Sequence, residues 1–122
     1  MNVFTRTFNA IGGRLLVRSG RAGILATTGR RTGRHRATPV GYLARADGTV
    51  LLGAGGPGRA WVSNLRAHPA CTFTIRGVET RHRARELEGA ERDAAIAELR
   101  AKMGGVAERA AWAEVFELSP EA

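Results

Sequence analysis

The sequence predicts a small antiparallel β-barrel with helices packed on its outside. Three observations lead there. From residue 23 onward, short β-prone runs recur with Gly, Asp or Pro between them, five or six in a chain of 122 residues. Only a few stretches carry helical spacing instead. No repeat, low-complexity tract or internal linker interrupts the chain, so residues 1–122 read as one domain of 13.0 kDa, enough for a single core.

Taken in order, Val3, Phe4, Phe8, Ile11 and Leu15 fall on one face at helical spacing, with Arg6, Arg14 and Arg18 elsewhere. Residues 2–17 are therefore expected to form an amphipathic helix, weakened at Gly12-Gly13, that packs on the domain or touches a membrane surface peripherally. Strands are expected at 23–28, 36–46, 49–54, 71–76 and 79–87. Asp47-Gly48 between two of them signals a hairpin. In Cys71–Ile75 apolar residues alternate with threonine, which puts Cys71, Phe73 and Ile75 on one side and makes Cys71 a packing residue rather than a nucleophile. Arg81, Arg83 and Arg85 share a face, opposite Thr80, His82 and Ala84. A short helix over 59–68 is stopped by Pro69. A longer one over 88–103 carries the apolar stripe Ala94, Ala95, Ile96, Leu99 and Met103 and ends at Gly104-Gly105. Glu114–Leu118 supplies a last strand.

Composition narrows the function. With 43% hydrophobic and 25% charged residues the chain is of the soluble globular type. No apolar run reaches the ~18 residues of a membrane span. The first twenty residues mix charge into their apolar positions, unlike a signal peptide. The single cysteine fits a reducing compartment, so a cytoplasmic location is expected, with membrane-peripheral contact through the first helix as its variant. The net charge of +8 is unevenly spread. Residues 1–85 hold fifteen basic residues against Asp47 and Glu79; residues 86–122 hold four against nine acidic ones. Every basic residue except Lys102 is an arginine. Such a field suits an anionic partner: nucleic acid, a phosphate-bearing cofactor or anionic lipid.

His35, His68 and His82 lack the spacing of a metal site, and no metal is expected. No nucleophile elbow, zinc-protease helix or complete phosphate loop is present. Acidic residues are nearly absent from the first 85 positions, which argues against paired-carboxylate catalysis. Any reactive group is thus expected to come from a bound cofactor. Two glycine-rich segments could hold one. In Gly29-Arg30-Arg31-Thr32-Gly33 the glycines allow positive φ, so backbone N–H groups can converge on an oxyanion while the arginines add forked donors. Gly53-Ala54-Gly55-Gly56-Pro57-Gly58 leads into the helix that carries Trp61, where a flat ring could approach bare backbone.

Read together, LATTGRRTGRHRATPVGYL, the Asp-Gly hairpin and VLLGAGGPGRAWVSNLRAHPACTFTI resemble the deazaflavin-dependent nitroreductase family, a branch of the split-barrel flavin and deazaflavin oxidoreductases abundant in actinobacteria. The likeness spans roughly residues 24–76. It implies a mainly β, six-stranded antiparallel split β-barrel that binds coenzyme F420, whose deazaflavin donates hydride from C5 and whose tail is phosphate and polyglutamate. It further implies a reductase that transfers hydride from F420H2 to an electron-poor small molecule: a quinone, a nitroaromatic or an activated enone. Carried over position by position, Arg31, Thr32 and Gly33 match the phosphate loop, and Arg36, Thr38 and Pro39 the following strand. Gly53, Ala54, Gly55 and Gly56 match the segment passing the ring, and Trp61, Asn64 and Leu65 the helix that completes the pocket. Trp61 equally suits a core anchor, and Asn64 a buried polar tie. Ala60 replaces a usual proline, and Val62 and Ser63 replace an aromatic and a polar residue, so the cofactor carries over better than the substrate. No catalytic proton donor is assigned, and oligomerisation is open. The alternatives are a non-catalytic protein binding F420 or another anionic cofactor, an FMN-binding protein, and a nucleic-acid-binding barrel. The last lacks aromatic platforms among its basic residues, so no nucleic-acid partner is expected.

Overall fold

The computed structural model describes residues 22–54, 60–103 and 114–121. The expected helix over 2–17, Gly55, Gly56 and Gly104-Gly105 lie outside them. Six strands form: β1 (Ala22–Thr28), β2 (His35–Ala44), β3 (Val50–Ala54), β4 (Ala70–Ile75), β5 (Val78–Glu86) and β6 (Glu114–Pro120). Two helices lie between them, α1 (Ala60–Ala67) after β3 and α2 (Gly89–Met103) after β5. All pairings are antiparallel, and the sheet closes in the order β1-β2-β3-β6-β5-β4, with β1 returning to β4 through Ile24↔Thr74, Leu25↔Phe73 and Ala26↔Thr72. β2 changes partner along its length. His35–Gly41 pair with β1, and Tyr42, Leu43 and Ala44 pair with β3.

Turn chemistry sets the register. At the β2–β3 hairpin the N–H of Gly48 donates to Arg45 O at 3.1 Å and that of Arg45 to Thr49 O at 2.8 Å, so the loop holds three residues and Gly48 takes φ 90°. Asp47 steadies it by accepting from the N–H and hydroxyl of Thr49. The β4–β5 hairpin is tighter: Ile75 pairs with Val78 across Arg76-Gly77, both at positive φ. For Arg76, at φ 50°, that geometry carries the Cβ penalty that glycine escapes.

Two apolar clusters result. Inside the barrel Leu25, Tyr42, Val50, Leu52, Phe73, Phe116 and Leu118 pack together, and α1 adds Trp61, Val62 and Leu65. Phe73 meets Tyr42 edge-on at 5.3 Å and fills the volume beside Gly23, where an added Cβ would lie 2.3 Å from Phe73 Cζ. Outside the barrel Leu51, Leu87 and Val115 receive Ala95 and Leu99 of α2. Strand β3 is thus covered on both faces, which is why Leu51 and Leu52 are both fully buried. Cys71 and Phe73 face the barrel interior as expected, and Arg81, Arg83 and Arg85 face out. Ala94, assigned to the apolar stripe of α2 from spacing, is instead exposed, because the helix meets the sheet through Ala95 and Leu99.

An ionic chain holds α2 in place. Glu98 on α2 pairs with Arg45, Arg45 with Glu117 on β6, Glu117 with Arg85 on β5, and Arg85 with Glu91 on α2, at 2.6–3.0 Å. Arg66 on α1 grips Glu86 with two hydrogen bonds of 2.8 Å. Lys102 reaches back from the end of α2 to donate to the backbone carbonyl of Tyr42, with its ammonium 4.3 Å from that ring, and burial lowers its pKa.

Candidate functional site

The connection between β1 and β2 has to reverse direction while carrying Arg30, Arg31, Arg34 and Arg36. Its ends are pinned by backbone bonds, Gly29 N–H to Arg34 O at 2.7 Å and Gly33 N–H to Gly29 O at 2.9 Å. The two glycines do different work. Gly33 takes φ 70°, as its position in the sequence suggests. Gly29 does not have positive φ; it is there for space, since a Cβ would sit 3.1 Å from both Arg34 O and Thr32 Oγ1. Thr32 Oγ1 accepts from the Arg34 N–H at 3.2 Å.

Helix α1 anchors this loop through Asn64, which is 2% exposed. Its amide donates to Thr27 Oγ1 at 3.2 Å, and its carbonyl oxygen accepts from the backbone N–H of Arg30 at 3.1 Å and from Arg30 Nη1 at 3.3 Å. This buried side chain therefore ties α1 both to the end of β1 and to the start of the loop, and its position follows from the packing of the helix. Trp61, 5.7 Å from the Phe116 ring, and Leu65 are sunk in the barrel and fix the rotation of α1.

Between loop and helix lies a groove of about 300 Å³, lined by Gly29, Arg30, Arg31, Thr32, Arg36, Ala60 and Asn64. Arg31, Thr32, Arg36 and Asn64 from the sequence-based set thus come together. Gly33 adjoins them in the loop, and Thr38 and Pro39 continue β2 away from it. Gly53 and Ala54 lie at the end of β3, with Ala54 buried in the barrel. Gly29 and Arg30, already read from the sequence as part of the oxyanion loop, and Ala60, which stands where proline is usual, join the lining. The tie from Arg30 to Asn64 is what the sequence did not show.

Electrostatically the groove is unbalanced. Among the described residues, none of Arg30, Arg31, Arg34 or Arg36 pairs with a carboxylate, and no acidic residue is in the lining. Guanidinium groups without a carboxylate partner, beside a hydroxyl and a backbone turn, offer donors that a phosphate or carboxylate group can satisfy. Cys71 is no competing reactive group: burial, helped by Glu121, pushes its thiol up to about 12. No group of three or more His, Cys, Asp or Glu that could hold a metal occurs among the described residues. No described helix is long and apolar enough to cross a membrane.

Comparison with known proteins agrees with this architecture. A family model described as F420H(2)-dependent quinone reductase matches residues 1–116. Among solved structures, an F420-H2 dependent reductase (FDR-A) aligns with TM-score 0.59 and 22% identity, covering 81% of this chain and 94% of that one. A domain-swapped dimer aligns with TM-score 0.65 and 22% identity over 94% and 98%. HutZ, a haem storage protein from Vibrio cholerae, aligns with TM-score 0.65 and 16% identity over 89% and 87%. These likenesses speak for the split-barrel fold. A search of curated proteins finds no match. With the family model covering nearly the whole chain, this protein belongs to the F420H(2)-dependent quinone reductase family and is an F420H2-dependent reductase.

Proposed function

We propose that the protein reduces a quinone and that the arginine-lined groove grips the phosphate and acidic tail of the coenzyme. The observation that carries this reading is the set of guanidinium groups at Arg30, Arg31 and Arg36, free of carboxylate partners among the described residues, around one groove. A donor set of this kind fits a polyanionic tail and would be wasteful for a neutral ligand. The quinone rests on the family to which the chain belongs.

When bound, the reduced deazaflavin supplies the hydride. The chain's own part is placement. Arg31 and Arg36 present forked donors to the anion, and Arg30 is held in register by Asn64. Thr32 uses a lone pair on the Arg34 N–H and keeps its hydroxyl proton to donate. Gly33 turns the loop so that these groups face one way. Trp61, Leu65 and Ala54 act as positioning residues through packing, since they are buried. By the resemblance alone, Gly53, Gly55 and Gly56 are assigned to the segment passing the ring, and Thr38 and Pro39 to the strand start beside the cofactor. The described groove lining has no carboxyl, imidazole or thiol, so its role is to bind and orient rather than to transfer a proton.

The test is direct. Purified protein mixed with F420H2 and menadione should regenerate the fluorescence of oxidised F420 in a protein-dependent way. Absence of turnover with menadione, alongside turnover with a nitroaromatic, would reject the quinone and keep the reductase.

A further inference from the structure

Apart from the coenzyme groove, a second hollow of about 200 Å³ lies across β1, β4 and β5. Register and alternation build it. On β1, Ala26 and Thr28 are half-buried while Leu25 and Thr27 beside them are buried, and on β4 Thr72 alternates with the buried Cys71 and Phe73 in the same way. The half-buried set therefore points to the outside of the barrel. Ala26 pairs with Thr72 and Thr72 with Arg81, which lays a floor of small side chains leading up to one arginine. Ala70 continues that floor, and His35, the partner of Thr28, borders it at the β2 side. The buried Cys71 and His82 border it from the wall itself. Glu121, the residue after β6, completes the lining.

Opposite charges meet at this hollow without closing on each other. The backbone N–H of Glu121 donates to Arg81 O at 3.0 Å, which fixes the two residues side by side. Both line the hollow and both are exposed. The Glu121 charge is near enough to the buried Cys71 to add to the upward push on its thiol. Yet Arg81 and Glu121 form no ion pair among the described residues, with each other or with any third group. Arg45, Arg66 and Arg85, by contrast, all close on glutamates at 2.6–3.0 Å. A fork of donors and a carboxylate held apart, above threonine hydroxyls and alanine methyls, make a receptor with one cationic and one anionic end.

We infer that this hollow is a second binding site, for a free α-amino acid with a small apolar side chain. The carboxylate goes to the Arg81 guanidinium, the ammonium to the Glu121 carboxylate and the side chain over Ala26 and Ala70. A lone anion would meet Glu121 unpaired, and a lone amine would meet Arg81, so the site selects for both charges in one molecule. Its volume suits a ligand smaller than those of the ~300–1,000 Å³ class. The hollow shares no lining residue with the arginine-lined groove and is independent of the coenzyme and of the proposed quinone.

The full-length protein, without coenzyme, is titrated by calorimetry at low salt and about pH 7, where carboxylates are ionised and amines protonated, with L-alanine, propionate and ethylamine. Saturable binding of L-alanine is expected at about 1 mM, the order that two charge-assisted contacts give. Propionate and ethylamine, which each lack one end, should bind at least about tenfold more weakly. Arg81→Gln and Glu121→Gln, both at exposed positions, should each lower alanine affinity by a similar factor. No saturable binding, propionate or ethylamine equal to alanine, or alanine affinity unchanged in either variant would overturn the site. So would loss of alanine binding on adding F420 or in Arg31→Ala, which would move the ligand to the coenzyme groove.

Discussion

The two ends of β2 use arginine in opposite ways. At its far end Arg45 is held between Glu98 and Glu117, and Arg85 nearby is held between Glu91 and Glu117. At its beginning Arg30, Arg31, Arg34 and Arg36 have no carboxylate among the described residues. The sequence is basic up to residue 85 and acidic after it, and folding brings part of the acidic segment onto part of the basic one. Glu86, Glu91, Glu98 and Glu117 all find arginines on β5, on α1 or at the β2–β3 hairpin, yet none reaches the β1–β2 loop. Placement relative to α2 and β6, rather than residue type, decides which arginines hold the fold and which remain available for an anionic ligand.

That contrast can be broken experimentally, and the largest effect is expected at the loop. Each charge-assisted hydrogen bond is worth about 1.5–3 kcal/mol, so Arg31→Ala with Arg36→Ala should weaken F420 binding by roughly a hundredfold or more, with the melting temperature unchanged. Fluorescence titration and thermal melting report the two quantities separately.

Asn64→Ala should cross the divide. It leaves Thr27 and the Arg30 N–H without their buried partner, costing about 1–3 kcal/mol of stability, and it also loosens the groove by freeing Arg30. A denaturant melt and a coenzyme titration on the same variant should both move. Movement of only one would show that Asn64 serves a single side.

Glu117→Gln removes the carboxylate shared by Arg45 and Arg85, whose own side chain is 16% exposed. About 1 kcal/mol of stability should be lost, with coenzyme affinity unaltered. A drop in affinity there would mean that the two ends are coupled.

The smallest effect is the response to acid. The Arg66 hydrogen bonds hold the Glu86 carboxyl below its ordinary range, and those of Arg85 do the same for Glu91. A carboxyl depressed in the folded state stabilises fully above its unfolded pKa, about 4.3, and this contribution fades as pH falls through the folded value. Melting temperature should therefore decline on acidification below about pH 5, less steeply in Arg66→Ala.

Much of this architecture was legible before folding because local rules carried it. Alternation fixed the inward face of Cys71 and Phe73, and proline and glycine marked where elements stop. The run VLLGA was recognisable as a strand, but nothing in it says that Leu52 enters the barrel while Leu51 goes under α2; both are leucines, and the distinction is made by partners distant in sequence. The stripe on α2 included Ala94 for the same reason: alanine carries too little apolar area to declare a face. The loop arginines were legible as a charge cluster, whereas their freedom from carboxylates was not, since it depends on where the acidic segment lands.

The central claim is that the β1–β2 loop binds the coenzyme by its acidic tail. The most direct measurement compares, by fluorescence titration at low and moderate salt, whole F420 with the deazaflavin ring portion stripped of phosphate and glutamates. The account predicts that the whole coenzyme binds at least about a hundredfold tighter at low salt, two charge-assisted contacts' worth. The gap should narrow as salt screens the contact and close in the Arg31→Ala, Arg36→Ala protein. Equal affinities for the two ligands at low salt would contradict it.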